Sequence, residues 1–535
     1  MKGRLVAAGV TLLLTACSSP PRPSLLPATS PSPGTLRVGV AQLPTETDPA
    51  KAPVYRSGLV RTVYEPLLRL RPDLAGVQPA TAESYDVSSD GLTYTFHIRP
   101  KARWSDGGSV SAADFVKAWR RVLDPRVNSP AGDALALTVK NGATYEDLDP
   151  VKDAAKIPGY LDQVGISAPD PQTLTVQLAR RAPSFPELVT MPELSPVRLS
   201  ADGGVASIYN GAYRLQQASG EVDFLPLDTY WGGKPRLGKI QLVVRPAPGD
   251  ELSAFEHGDF GLLVLDPATL ATARKAGEVQ GELAEMPRLQ VDWLQFNVHH
   301  SPFDNPGVRL AFAQAIDRGA LAAGPLQGGA IPATGLLPKG MRGYRMLNAQ
   351  VFDAARCRTT LDASGVSPAD LGDIHMIVRD TDADKALAQF LAQQIHDHLG
   401  IQLALDVMPS KKVTEHLATG DFQMQAPGGW IADYPDEQDW LDQFLSGQVG
   451  GQWSRYSDPA FDRLVKQADA EPNDTRRSQL YSQAGQLLAN DAPVAFLYQP
   501  VDVVLHQPWV SGLALTGMDD WPGDLYAANL AVSAH

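Results

Sequence analysis

The stretch IHMIVRDTDADKALAQFLAQQIHDHLGIQLALDV, residues 374–407, decides the fold. It opens with a short apolar run, residues 374–378, that is typical of a buried strand. Apolar residues then recur at helical spacing: Leu387, Phe390, Leu391, Ile395 and Leu399. Residues 401–407 alternate between apolar and polar as a second strand would. A strand, a helix and a strand in this order predict a βαβ unit with two parallel strands, and so an α/β fold.

A third strand is predicted over residues 422–426, ending at the break formed by Pro427, Gly428 and Gly429. In an open α/β sheet, ligands bind beyond the carboxyl ends of the strands. Arg379 follows the first strand, and residues 430–433 follow the third. We therefore expect both segments to face one crevice.

The earlier part of the chain also carries regular patterns. Residues 36–40 are strand-like, and residues 92–98 alternate directly after the turn pair Asp90–Gly91. Ser111 and Asp114 form an N-cap signal for a helix. The body of the chain is therefore predicted to be folded throughout.

The first sixteen residues indicate a secretory signal. Lys2 and Arg4 precede an apolar run over residues 5–14. About ten residues make about 15 Å of helix, too short for a hydrocarbon core of roughly 30 Å, so a permanent transmembrane anchor is not expected.

Leu14, Thr15, Ala16 and Cys17 match a bacterial lipobox, which predicts lipid on Cys17. Several acyl chains on one cysteine would anchor the chain to a membrane. The alternative is an ordinary secretory signal with an incidental cysteine at the cleavage site. Residues 18–34 contain six prolines and read as a tether.

Composition excludes some classes of protein. The formal charge of −14 would repel nucleic acid, so we expect no nucleic-acid partner. If Cys17 carries lipid, Cys357 is the only thiol left, and no internal disulfide can form. The length of 535 residues implies two or more domains.

No enzyme motif was found in the sequence. GxxxxGK[ST], GxGxxG, HExxH and GxSxG are all absent. The pairs His299 with His300 and His396 with His398 come nearest to metal ligands, but the second pair is spaced two apart on a predicted helix, where side chains do not face each other. We expect no enzyme activity, no cofactor and no metal ion.

Two charged residues have competing interpretations. Asp433 lies in a segment with an aromatic residue, a carboxylate and turn residues after a strand, and it either caps a turn or contacts a ligand. Arg379 precedes several acidic residues, and it either forms a surface ion pair with them or binds a ligand.

A series of short motifs stands in order along the chain from residue 36 to the C-terminus. They include Asp90, Gly91, Leu92 and Thr93; Trp104, Ser105, Asp106 and Gly107; Asn210, Gly211, Ala212 and Tyr213; Phe296 and Asn297; Ile316, Asp317 and Arg318; and Trp430, Ile431, Ala432, Asp433 and Tyr434. In these motifs the chain resembles the oligopeptide-binding and dipeptide-binding family of ABC-transporter solute-binding proteins.

The resemblance implies a type II two-lobed clamp with an extra subdomain inserted in a discontinuous first lobe. The expected boundaries are a signal at 1–16, the lipidated cysteine and tether at 17–34, lobe I at 35–64, 185–289 and 502–535, the extra subdomain at 65–184, and lobe II at 290–501.

The resemblance also implies site residues. In the family, the aspartate at the place of Asp433 pairs with the ligand's α-ammonium group. Trp430 would form a wall of the same pocket, and Trp293 falls where the family has a ligand-facing tyrosine. Tyr434 and Tyr55 complete the set, and Arg379 is left to bind the ligand carboxylate. The chain departs from the family pattern in three places: residues 52–55 lack the family's early acidic residue, Pro427 replaces an arginine, and a pocket tryptophan is replaced near Ser410. Ligand length and identity therefore stay open.

The function implied is peptide capture for an ABC importer, with a membrane permease and ATPases on separate chains. The resemblance places the chain on the extracytoplasmic face of the cell membrane, and we expect it to act as a monomer. One alternative is the same clamp with a non-peptide solute such as a haem, a metal chelate, a glutathione-like compound or a sugar. Another is a regulatory or envelope lipoprotein that does not transport.

Overall fold

The computed structural model describes residues 34–53, 57–144, 148–218, 220–265, 267–276, 283–447 and 452–533. Cys17 and Tyr55 lie outside these ranges. Within them, the chain forms twenty strands and fifteen α-helices.

The strands follow in chain order. They are β1 (Thr35–Val40), β2 (Leu68–Leu70), β3 (Val77–Pro79), β4 (Ala82–Val87), β5 (Thr93–Ile98), β6 (Ile166–Asp170), β7 (Thr173–Gln177), β8 (Tyr213–Ala218), β9 (Glu221–Pro226), β10 (Lys239–Val244), β11 (Leu262–Val264), β12 (Leu283–Pro287), β13 (Gln290–Phe296), β14 (Ala330–Pro332), β15 (Ile374–Arg379), β16 (Leu403–Met408), β17 (Met424–Ile431), β18 (Val494–His506), β19 (Val510–Ser511) and β20 (Ala531–Val532).

The α-helices lie between and around these strands. They are α1 (Gly58–Val63), α2 (Ala112–Val122), α3 (Gly132–Thr138), α4 (Ile157–Gln163), α5 (Phe185–Leu188), α6 (Glu251–Glu256), α7 (Pro267–Ala276), α8 (Pro306–Gln314), α9 (Arg318–Ala323), α10 (Arg356–Ala363), α11 (Asp382–Leu399), α12 (Ser410–Thr419), α13 (Glu437–Leu441), α14 (Pro459–Asp469) and α15 (Asp474–Asp491). No helix in the described ranges is long and apolar enough to span a membrane.

One sheet runs through both lobes of the molecule. Its strand order is β16-β15-β17-β13-β18-β11-β1-β10-β9-β8, and β12 and β14 also pair with β18. The first lobe contains β1 and β8 to β12, and the second contains β13 to β17. The β18 strand belongs to both, because residues 494–498 pair with β13 and residues 501–506 pair with β12 and β11.

Two crossings join the lobes. One is the link between β12 and β13 at Arg288 and Leu289, and the other is the middle of β18. The side chain of Gln499, which is 2% exposed, donates to the carbonyls of Arg288 and Lys339, both at 2.9 Å. The two crossings are therefore held side by side, as a hinge would be.

A smaller sheet, of order β4-β5-β7-β6, packs with helix α2 on the first lobe. The predicted strand after Asp90 and Gly91 is confirmed as β5, whose residues alternate between half-buried and buried. The predicted helix start is also confirmed, because the Ser111 backbone N–H donates to Asp114 at 2.9 Å. The small sheet and the first lobe share one hydrophobic core.

The second lobe contains the predicted βαβ unit. The β15 and β16 strands are parallel, with Ile374 opposite Leu403, and α11 connects them. The two faces of the β13 strand belong to different cores: Leu294 and Phe296 pack with α8 and α11, whereas Val291 and Trp293 pack with α13 to α15.

One predicted boundary in this lobe was wrong. The β17 strand does not end before Gly428 but continues to Ile431. Gly428 lies opposite Trp293, and Gly429 lies opposite Asp292, so pairing with β13 extends the strand through the glycines. The predicted boundaries of the lobes and of the extra subdomain stay predictions.

Candidate functional site

Asp433 lies in the turn between β17 and α13, at the boundary between the lobes. Its backbone N–H donates to Oδ2 of Asp439 at 3.0 Å, and the Trp430 indole N–H donates to the same oxygen at 3.1 Å. Asp439 is 4% exposed and fixed on α13. The Asp439 carboxylate therefore fixes the position of the Trp430 side chain relative to the Asp433 backbone.

The sequence interpretation missed Asp439. A signal was present, because Asp433, Asp436, Asp439 and Asp442 recur every third residue. That spacing places the last two close to one face of a helix that follows the turn. Asp439 could have been identified as a site residue because it repeats the spacing of the carboxylates directly after the turn.

A cavity of about 160 Å³ separates the lobes next to Asp433. We call it the interlobe cavity. Its walls come from α3 and the loop after β7 on one side and from residues 430–443 on the other. They are Pro130, Asp133, Ala134, Leu137, Thr138, Arg180, Trp430, Asp433, Tyr434, Gln438, Asp439, Asp442 and Gln443. The space is enough for about five water molecules, or for one end of a small ligand.

The walls of the interlobe cavity carry four carboxyl groups and one guanidinium, so acidic groups outnumber basic ones. Burial raises the pKa of Asp433 to about 7. Burial and the neighbouring Asp433 carboxylate raise the pKa of Asp439, and burial and Asp469 raise the pKa of Asp442. A cationic group in the cavity would stabilise the ionised carboxylates, so the site is suited to a ligand ammonium.

The lobes contact each other around this cavity. The Ser184 hydroxyl, in the segment that precedes α5, donates to Oε1 of Gln438 on α13. Tyr434 is 6% exposed and packs in the hydrophobic core of the first lobe. The turn that carries Asp433 therefore inserts into the opposite lobe.

Trp293, predicted to face the ligand, lies elsewhere. It is 2% exposed, its indole N–H donates to Gln295 at 3.1 Å, and its ring packs against Phe444 with centroids 5.8 Å apart. It is part of the core beneath β17 and does not line the interlobe cavity. Its contact with a ligand stays a prediction.

Arg379 is also outside the interlobe cavity. Its Nε donates to Oδ2 of Asp384 at 2.7 Å, which is the ion pair that the sequence allowed as an alternative. The β15 strand aligns Ile377 with Gln425, so Arg379 lies near Pro427 rather than near Trp430. The structure does not bring Arg379 and Asp433 together at one cavity, and the carboxylate role of Arg379 stays a prediction.

The family model and the two relatives compared below all describe solute-binding proteins. The family described as bacterial extracellular solute-binding proteins, family 5, matches residues 76–452. The chain is 28% identical to the oligopeptide-binding protein OppA of Bacillus subtilis over 92% of each chain. It is 27% identical to the periplasmic oligopeptide-binding protein OppA of Salmonella typhimurium, over 90% of this chain and 89% of the relative.

A solved structure shares the fold. The murein tripeptide binding protein MppA of Escherichia coli superposes with a TM-score of 0.75 at 25% identity, covering 94% of this chain and 99% of MppA. The predicted α/β fold with two lobes is therefore confirmed. Since the family match covers well over half of the residues, the chain belongs to family 5 of the bacterial extracellular solute-binding proteins.

Proposed function

We propose that this protein captures peptides between its two lobes and delivers them to the membrane permease of an ABC importer. The observation that carries the proposal is the interlobe cavity, where buried carboxylates outnumber cations beside Asp433. The family consists of solute-binding proteins, and relatives over nearly the full length are named for binding oligopeptides. A peptide supplies the ammonium group that this cavity lacks.

In the proposed mechanism, the ligand's α-ammonium group donates to Asp433. Trp430 and Tyr434 form walls of the same cavity. A ligand that contacts both lobes binds the closed form more tightly than the open form, and this difference drives closure about the two crossings near Arg288 and Gln499. The permease would then select the closed form.

The proposal for location rests on the N-terminal sequence. Lipid on Cys17 and the proline-rich segment at 18–34 would keep the receptor at the extracytoplasmic face of the cell membrane. There it could reach its permease, whose ATPases are separate chains. Metabolic labelling with a radioactive fatty acid tests this, since a Cys17→Ser variant should take up no label.

The test of ligand class uses the purified protein. Molecules released by denaturation are identified by mass spectrometry, and the melting temperature is measured with short peptides, haem, glutathione and sugars. A ligand that binds only the folded state raises the melting temperature. We expect peptides to be released and to stabilise the protein. Stabilisation by haem or a sugar, and not by any peptide, would contradict the proposal.

A further inference from the structure

The carboxylate of Asp439 is only half used inside the protein. Its Oδ2 accepts hydrogen bonds from the Trp430 indole and the Asp433 backbone, whereas no hydrogen bond reaches Oδ1 within the described residues. Asp439 is 4% exposed and lines the interlobe cavity. Because buried polar groups are nearly always hydrogen-bonded in native proteins, an oxygen without a donor at a cavity wall points to a donor supplied by a ligand.

Asp442 lies three residues further along the same wall. It begins the 3-10 turn Asp442–Phe444 that follows α13, and side chains three residues apart lie on the same side of such a turn, so Asp439 and Asp442 are neighbours at the cavity. Oδ2 of Asp442 accepts a hydrogen bond from Nε2 of Gln438 at 3.1 Å. Its Oδ1 is buried and has no hydrogen-bond partner among the described residues. Both carboxylates are therefore incompletely hydrogen-bonded.

The guanidinium in the cavity wall does not balance these carboxylates. Nη1 of Arg180 donates to Asp469 at 2.6 Å, and Nη2 is 3.7 Å from Oδ2 of Asp442. Asp469 is not a wall residue, so the closer ion pair of Arg180 lies outside the wall. Asp433, Asp439 and Asp442 therefore line the cavity with less than one positive charge to balance them.

A single α-ammonium group would not balance this wall. The proposed contact with Asp433 accounts for one carboxylate and leaves Asp439 and Asp442 without a cation. Burial raises the pKa of both, which favours their protonated forms when no cation is present. A cation bound next to them favours the ionised forms. A ligand with a second positive charge close to its α-ammonium group would therefore use the whole wall.

The position and size of the cavity suit the first side chain of a peptide. In a peptide, that side chain and the α-ammonium group share one Cα atom. The Asp439 carboxylate is hydrogen-bonded to the backbone of Asp433 itself, so a side chain that leaves this Cα can reach it. Ala134, Leu137 and Trp430 supply apolar walls for methylene groups. The volume of about 160 Å³ accommodates a side chain of the size of lysine.

We propose that Asp439 and Asp442 bind the cationic side chain of a lysine or arginine at the ligand's first position, while Asp433 binds its α-ammonium group. This inference rests on the proposed function and narrows the ligand to peptides that begin with a basic residue. A lysine ammonium has three N–H donors, enough to donate to both carboxylates at once. Asp442 would set this specificity, because the hydrogen bonds to Trp430 and to the Asp433 backbone come from Asp439 instead.

The experiment is calorimetry of the full chain with the tripeptides Lys-Ala-Ala, Nle-Ala-Ala and Ala-Ala-Lys. Norleucine (Nle) keeps an unbranched hydrocarbon side chain but carries no charge, and Ala-Ala-Lys carries the same charge at the other end. We expect the wild type to bind Lys-Ala-Ala about tenfold more tightly than either of the others.

The variant for this experiment is Asp442→Asn, which keeps the shape of the side chain and removes its charge. It should lose the preference for Lys-Ala-Ala and bind Nle-Ala-Ala as the wild type does. The control is Asp421→Asn, which makes the same change at a side chain that is 81% exposed and outside the cavity wall. It should keep the preference.

Equal affinity of the wild type for Lys-Ala-Ala and either other peptide would overturn the inference, and so would an undiminished preference in Asp442→Asn. The proposed function would stand in both cases, because the peptides still bind. No binding of any peptide by the wild type, with tight binding of a free diamine such as cadaverine, would contradict the proposed function itself. The wild-type comparison needs no substitution, so it decides the inference if Asp442→Asn does not fold.

Discussion

Arg180 donates from Nη1 to Oδ2 of Asp469 at 2.6 Å, and this ion pair joins the loop after β7 to helix α14 across the cleft between the lobes. Asp469 is fully buried and also accepts a hydrogen bond from Tyr481 at 2.8 Å. The second carboxylate near Arg180 is Asp442, at 3.7 Å. The pair is therefore a direct electrostatic link between the lobes at the edge of the interlobe cavity.

Replacing Arg180 should favour the open form. Its side chain is 41% exposed, so solvent screens the ion pair, and we expect a loss of about 1 kcal/mol, or about fivefold in the closed-to-open ratio. Peptide dissociation from Arg180→Gln, followed by stopped flow, should be faster by that factor. Small-angle scattering without ligand should give a larger radius of gyration.

The control for this change is the adjacent residue. Arg181 donates from Nε to the Asp90 carbonyl at 2.6 Å, within the first-lobe side of the molecule. Arg181→Gln should leave dissociation and the radius of gyration unchanged. Equal effects of both substitutions would mean that Arg180 does not control closure.

Asp433→Asn should weaken binding of free-amine peptides by about 10- to 100-fold, because a hydrogen bond to a charged group contributes about 1.5 to 3 kcal/mol. N-acetylated peptides should bind equally well to both proteins, as they carry no ammonium group. Calorimetry measures both affinities. Asp421→Asn is the control, since that side chain is 81% exposed and does not line the interlobe cavity. The same loss for acetylated peptides would rule out the proposed role of Asp433.

Two tryptophans should respond in opposite ways. Trp293→Ala removes a fully packed side chain and should cost at least about 3 kcal/mol of stability. Trp430 is half-buried at the interlobe cavity, so Trp430→Ala should cost less stability but weaken peptide binding several-fold. Differential scanning calorimetry and peptide titration separate the two effects. If Trp293→Phe, which keeps an aromatic ring in place, weakened binding without lowering the melting temperature, Trp293 would contact ligand as the sequence predicted.

The buried pair of Asp436 and Arg477 should be essential for stability. Arg477 donates from Nη1 to Asp436 at 2.8 Å, and the two side chains are 0% and 2% exposed. Asp436→Asn leaves the Arg477 charge without a full counter-charge, and we expect a loss of about 3 kcal/mol or more. The control is Asp474→Asn, which removes an acid that is 75% exposed and 3.8 Å from Arg342.

The Asp436 pair also has a defined pH dependence. Arg477 and Arg342 hold the pKa of Asp436 below its ordinary value despite burial. A carboxyl with a lowered folded-state pKa stabilises the fold above its unfolded pKa of about 4, and this stabilisation is lost as pH falls through the folded-state pKa. The melting temperatures of wild type and Asp436→Asn should therefore converge below about pH 4. A constant difference at all pH values would contradict this assignment.

Local patterns in the sequence predicted one part of the second lobe. The βαβ unit followed from apolar spacing, because the strand and helix periods place those side chains on one face. The end of β17 was mispredicted for the opposite reason. A side chain on Gly429 would collide with Asp292 of β13, so the glycines that suggested a break in fact allow two strands to approach closely.

The candidate site was predicted only in part. The turn with Asp433 could be located, since its residues are contiguous and follow a strand. Arg180 and Asp469 could not be joined to it, because they lie far apart in the chain and meet only when the lobes pack together. The sequence could not fix whether Arg379 lies at the same cavity, because strand order alone does not fix how far along a strand each residue lies.

The sequence by itself determined the βαβ unit of the second lobe, the family and the turn that carries Asp433, since these depend on neighbouring residues. Only the tertiary structure decided which charges share the cleft. It paired Arg180 with Asp469 and placed Trp293 in the core. The physical reason is that burial and electrostatic coupling depend on distances through space, which residues separated by hundreds of positions acquire only when both lobes are folded.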